Sequence, residues 1–181
     1  LKIVYGWVHS IGGQFRQARM LINDLDNGER SELAGRVDAL RAFILRGEGS
    51  VDEALMVADR ALQAEELSTQ GQLVTQLVRS SALCAAGKFG DAREANRIAA
   101  RLAREAGDAG SEVLAVYAHA RIELGKGSLK HAEQLLRTGL DTAMNESSRP
   151  ARVGETRLQL NLVMVLWHQG RQAEADRLLV T

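Results

Sequence analysis

Apolar residues along this chain recur at helical rather than alternating spacing. Ala18, Leu21, Ile22 and Leu25 share one helical face, as do Ala132, Leu135, Leu136 and Leu140. Between such segments run further stripes: Val37, Leu40 and Ile44; Ala115, Ala118 and Ile122; Leu158, Val165 and Leu166. No segment keeps the period-two alternation of β-branched residues that a strand needs. The pattern predicts an all-α chain of about ten helices.

The stripes are punctuated by a motif, Gly-x-apolar-x-x-Ala, which occurs five times. Its copies begin at Gly13, Gly49, Gly87, Gly127 and Gly170, spaced 36, 38, 40 and 43 residues apart. The third positions are Phe15, Val51, Phe89, Leu129 and, as the exception, Gln172. The alanines are Ala18, Ala54, Ala92, Ala132 and Ala175. Each glycine is expected to end a helix in the left-handed conformation that a Cβ resists. The apolar residue plugs the corner between two helices, and the alanine lets them approach closely. Seven residues before each glycine stand Gly6, Ala42, Ser80, Ala120 and Val163, four of them small, a second close-contact position. One array of helix pairs is therefore expected over 1–181, with repeats at about 1–28, 29–67, 68–107, 108–146 and 147–181. The polar connections are Asn27–Arg30, Ser68–Gln70 and Gly107–Gly110, with Pro150 barring helix continuation in the stretch from Asn145 to Ala151.

Composition narrows the function classes. Hydrophobic residues make up 45% and charged residues 25% of 181, as in ordinary globular domains. Lys+Arg and Asp+Glu both number 23, so neither nucleic acid nor a membrane surface is favoured as a partner. Direct DNA binding is disfavoured for the same reason. The single cysteine, Cys84, fits a reducing, cytoplasmic compartment, and its apolar setting predicts a buried thiol. The sequon Asn145-Glu146-Ser147 reads as chance. Leu1 opens directly into an apolar periodic pattern, which reads as a fragment of a longer protein. The short last helix should then expose Leu178 and Leu179, so that self-association through the terminal repeats is expected.

Gly87-Lys88 invites a nucleotide reading, because phosphate loops end in Gly-Lys. Such a loop requires Gly-x4-Gly-Lys-Ser/Thr, and here Ala82 and Phe89 occupy the anchor positions. Lys88 reads as a solvated turn residue. His9, His119, His131 and His168 form no metal-binding spacing, and no nucleophile motif is present. Asp24/Asp26 and Glu65/Glu66, near the ends of second helices, read as solvated surface. The chain is expected to be non-catalytic, with no metal.

Paired helices joined at Gly-x-apolar-x-x-Ala, with a small residue seven before the glycine, resemble the tetratricopeptide repeat. Departures are the longer spacing and the missing closing proline. Proline-poor segments such as "ALRAFILRGEGSVDEALMVADRAL" (39–62) and "AVYAHARIELGKGSLKHAEQLLRTGL" (115–140) resemble the superhelical sensor region of MalT-type ATP-dependent LuxR-family transcriptional regulators. The resemblance implies a right-handed α-solenoid that receives a small-molecule inducer or a regulatory protein in a concave groove, with ATP bound in a separate domain and no cofactor in this fragment. A plain protein–protein scaffold is the alternative. The tetratricopeptide register places exposed groove positions six and three residues before each glycine. These are Trp7, Phe43, Ser81, Arg121 and Met164, then Ser10, Arg46, Cys84, Leu124 and Trp167, flanked by Tyr117 and His168. Trp7, Phe43, Arg46, Tyr117, Arg121, Trp167 and His168 are the candidate ligand contacts, because aromatics with arginines grip peptides or polar small molecules.

Overall fold

The computed structural model describes residues 1–26, 33–145 and 151–179. Ten helices and no strand occur among the described residues: α1 (Lys2–Ile11), α2 (Phe15–Asp26), α3 (Ala34–Glu48), α4 (Val51–Leu62), α5 (Thr69–Ala85), α6 (Phe89–Ala106), α7 (Ala109–Gly125), α8 (Leu129–Asn145), α9 (Ala151–His168) and α10 (Gln172–Leu179). The Asn27–Arg30 connection, Pro150, the rest of the sequon after Asn145, and the Asp24 and Asp26 side chains lie outside the described residues.

All five motif glycines take the left-handed conformation, at φ between +73° and +89°. The residue after each donates its backbone N–H to the carbonyl five residues back, at 2.8–2.9 Å, which closes the preceding helix. Lys88 is one of these donors, bonding to Leu83 O, so its amide is already used and cannot cradle a phosphate. Its side chain is exposed. The five motif alanines are all 0% exposed, and the five residues seven before the glycines are all buried. A sixth left-handed glycine, Gly107, ends α6 in the same way.

Two expected connections shrink. Thr69 and Gln70 belong to α5, because Ser68 caps it by accepting the Gly71 N–H at 3.2 Å. Ala109 and Gly110 belong to α7, where Asp108 accepts the Ser111 N–H at 3.0 Å.

The helices gather into two compact units, residues 1–88 and 89–181. In the first, Ala18 and Ile22 of α2 pack with Val37, Leu40 and Ile44 of α3, and Ala54, Val57 and Ala58 of α4 pack with Val78 of α5. In the second, Ala132 and Leu136 of α8 pack with Leu158, Leu162, Val165 and Leu166 of α9. Helix α10 is short, and Leu179 is exposed as expected. Leu178 differs: it packs against the core of the second unit.

The plug residues reach further than the corner of their own pair. A Cβ on Gly125 would lie 2.6 Å from Cε1 of Phe89, and a Cβ on Gly47 would overlap the ring of Phe15. Each ring therefore lies on the glycine two before the next motif glycine. Phenylalanine plugs are followed by glycine at this place, whereas the smaller plug Val51 is followed by Ala85.

Candidate functional site

The first helix of each pair carries the candidate residues. In the first unit, Trp7 of α1 meets Phe43 of α3 edge to face, with centroids 5.3 Å apart and planes at 64°. One repeat further, Arg46 of α3 donates from Nε to Ser81 Oγ of α5 at 3.1 Å. The expected positions therefore touch across neighbouring first helices. All four side chains are half-buried, since Trp7 and Phe43 also pack against the core.

In the second unit, Arg121 of α7 lies over the Tyr117 ring, 6.0 Å from its centroid, with Nη1 3.4 Å from the phenol oxygen. Tyr117 is half-buried against the core. On α9, Met164 and Trp167 are 46% and 53% exposed, one turn apart on one helical face, with His168 exposed beside them.

Three expectations on this face are corrected. Ser10 is buried rather than exposed, its hydroxyl folding back to donate to Gly6 O at 2.7 Å. Leu124 is half-buried and packs into the core. Cys84 is half-buried, not enclosed.

A polar cluster in the second unit was not foreseen. Glu123 of α7, four before its motif glycine, is 2% exposed; the same position holds the buried Leu45, Leu83 and Leu166 and the half-buried His9 in the other four copies. Its carboxylate accepts from Arg93 Nη2 at 2.5 Å and from Lys126 Nζ at 3.3 Å, with His131 Nδ1 3.4 Å away. Burial pushes the Glu123 carboxyl up, but the hydrogen bonds from Lys126 and Arg93 outweigh it and hold the group below its ordinary range. His119 and His131, distant in sequence, bring their rings to 5.8 Å. Burial, reinforced by the Arg93 charge, lowers the His119 pKa despite the nearby Glu123 carboxylate. A second network joins α8 to α10: Glu133 and Glu174 share Arg137 and Arg171. Among the described residues, no three His, Cys, Asp or Glu side chains are placed to hold a metal ion. None of the helices described is long and apolar enough to cross a membrane.

No family model matches the chain, and no curated protein does. Two solved structures are similar, both of nearly identical TPR-like repeats from a Podosopora anserina kinesin light chain candidate. The Q17M structure aligns at TM-score 0.67 and 19% identity, covering 98% of this chain and 89% of that one. Its counterpart aligns at 0.65 and 19% identity, covering 98% and 90%. With its helix pairs, glycine turns and buried alanines, the chain has the tetratricopeptide-like helical-repeat fold.

Proposed function

We propose that the chain is a non-catalytic protein-binding module in which the first-helix face of each unit receives a segment of another protein. One observation carries this reading. Side chains six and three residues before the motif glycines touch across neighbouring repeats, Trp7 on Phe43 and Arg46 on Ser81, so a row of aromatic and guanidinium groups is presented together. The fold supports it, since repeat scaffolds of this kind generally bind other proteins and rarely act as catalysts. Exposed Arg121, Met164 and Trp167 suit a segment with carboxylates beside apolar side chains. Peptide display tests the reading on the wild-type chain and on a variant carrying Arg46→Ala, Arg121→Ala and Trp167→Ala. Acidic peptides with apolar anchors should be enriched on the wild type and lost on the variant. Equal capture by both would refute it.

The narrower reading is the sensor region of a MalT-type LuxR-family regulator, with a small-molecule inducer in the groove and ATP in a separate domain. The repeat spacing of 36 to 43 residues and the two segments at 39–62 and 115–140 favour it, whereas the comparisons add nothing to it. The parent reading frame decides: a phosphate-loop ATPase upstream and a helix-turn-helix downstream are required, and their absence would exclude it.

A further inference from the structure

Among the described residues, twelve large apolar side chains are exposed, and nine of them lie at the first helix or on the last pair. Leu1, Val4, Tyr5, Val8 and Ile11 belong to the first group, and Leu160, Met164, Trp167 and Leu179 to the second. Single exposed apolar residues need no explanation, but positions 1, 4, 8 and 11 share one side of a helix.

The repeat register identifies what fits this stripe. Val8 stands five residues before its motif glycine, where later repeats have Ile44, Ala82, Ile122 and Val165. Those four are at most 2% exposed, whereas Val8 is 62% exposed. The later residues are covered because each first helix packs on the second helix of the preceding pair: α3 on α2, α5 on α4, α7 on α6 and α9 on α8. No described helix covers α1 in this way.

The last pair has the reciprocal exposure. Nine residues after the motif glycine, Ile22, Ala58, Asn96 and Leu136 are all buried, but Leu179 is 57% exposed. Ten residues before it, Ile3 and Ala39 are buried, but Leu160 is 51% exposed. The α1 face thus lacks a second helix in front of it, and the α9–α10 face lacks a first helix behind it. Each supplies what the other lacks, as stacked repeats do. Polar residues agree with this pairing. Arg93, six after its glycine, pairs with Glu123, four before the next. The same register sets the exposed Asp176 of α10 opposite His9 of α1, a carboxylate against an imidazole.

We propose that copies of this chain associate head to tail, the α1 stripe of one copy packing on α9 and α10 of the next. The contact is heterologous, so a dimer keeps one unused face of each kind and further copies add to it. Met164 and Trp167 are shared with the segment-binding face, whereas Leu160, Leu179 and the α1 stripe lie outside its register positions. The contact therefore stands independently of that reading.

Sedimentation velocity of the full chain tests this with two complementary variants, Val8→Glu and the double variant Leu160→Glu with Leu179→Glu. The mean mass of the wild type should rise past that of two chains between micromolar and submillimolar concentration. Each variant alone should stay monomeric, because an unpaired carboxylate would have to be buried in the contact. An equimolar mixture should give a dimer of one of each and nothing larger. All three substitutions replace exposed side chains, and unchanged melting temperatures confirm the fold. Independently of any variant, diluting the wild type should shift the NMR amide signals of Val4, Val8, Leu160 and Leu179 and leave Val78 in place. The proposal is overturned by a wild type that stays monomeric, by dilution shifts elsewhere, or by a mixture that forms no dimer. Self-association of either variant alone also overturns it, since a face would then pair with its own kind.

Discussion

Pairing between plug and glycine makes a quantitative prediction for Gly125→Ala. The new Cβ would sit 2.6 Å from Phe89 Cε1 and 3.1 Å from Cζ, against the roughly 3.5–4.0 Å of a comfortable carbon contact. The ring must swing outward and give up part of its half-buried packing. Overpacking costs about 1–3 kcal/mol, and because the colliding atoms are the free end of the ring the lower figure applies. Against this, alanine in place of a helical glycine gains about 0.5–1 kcal/mol. The single variant should therefore be close to neutral or destabilised by under about 1 kcal/mol. With Phe89→Val in place the collision disappears, and Gly125→Ala should stabilise by the full propensity gain. The double variant reproduces the pairing that Val51 and Ala85 already show. Urea unfolding of the four proteins measures the coupling, expected at about 1 kcal/mol. A coupling under about 0.3 kcal/mol, the ordinary error of additivity, would refute the claim that the ring determines the small residue.

Other substitutions separate conformation from packing. Gly127→Ala, at φ +78°, should cost about 1 kcal/mol in thermal unfolding, whereas Gly90→Ala, where a Cβ meets nothing within 4 Å in α6, should gain about 0.5–1 kcal/mol. Ala132→Leu, at a fully buried contact, should cost about 1–3 kcal/mol by overpacking; a neutral result in denaturant melts would mean the helices tolerate wider separation there. Acidification should destabilise the chain in two stages. Because the folded His119 pKa is lowered, the unfolded chain takes up that proton more readily, and stability should begin to fall below about pH 6.5. Glu123, Glu133 and Glu174, also lowered, keep their contribution above about pH 4.5 and lose it as pH falls through their folded values. His119→Gln should remove the upper stage, seen as a flat melting temperature from pH 7 to 5.

The turns were legible because each is written in consecutive residues. A glycine that must be left-handed and an alanine five positions on carry their reasons locally, and all five pairs hold. Gly107 was missed as a sixth such turn because no apolar-x-x-Ala follows it. Contacts between repeats are harder, since they join residues some 30 positions apart. Phe89 on Gly125 and Arg93 on Glu123 belong here. A signal for the second existed: in the column four before the motif glycine, Glu123 stands among Leu45, Leu83 and Leu166, with His9 as the other departure from leucine. The candidate face was only partly legible. Its rows do meet at Trp7–Phe43 and Arg46–Ser81, but Ser10 shows that a side chain able to bond its own helix carbonyl can turn inward at the same register position.

The chain has two tryptophans, and they divide between the units in unlike surroundings. Trp7 is half-buried against Phe43, and Trp167 is 53% exposed. Intrinsic emission is thus a composite of a bluer component from residues 1–88 and a redder, quencher-accessible one from 89–181. Iodide should dim the second selectively. The wavelength shift on unfolding should come mainly from the first, so a single optical trace reports the melting of one half and the solvent contact of the other.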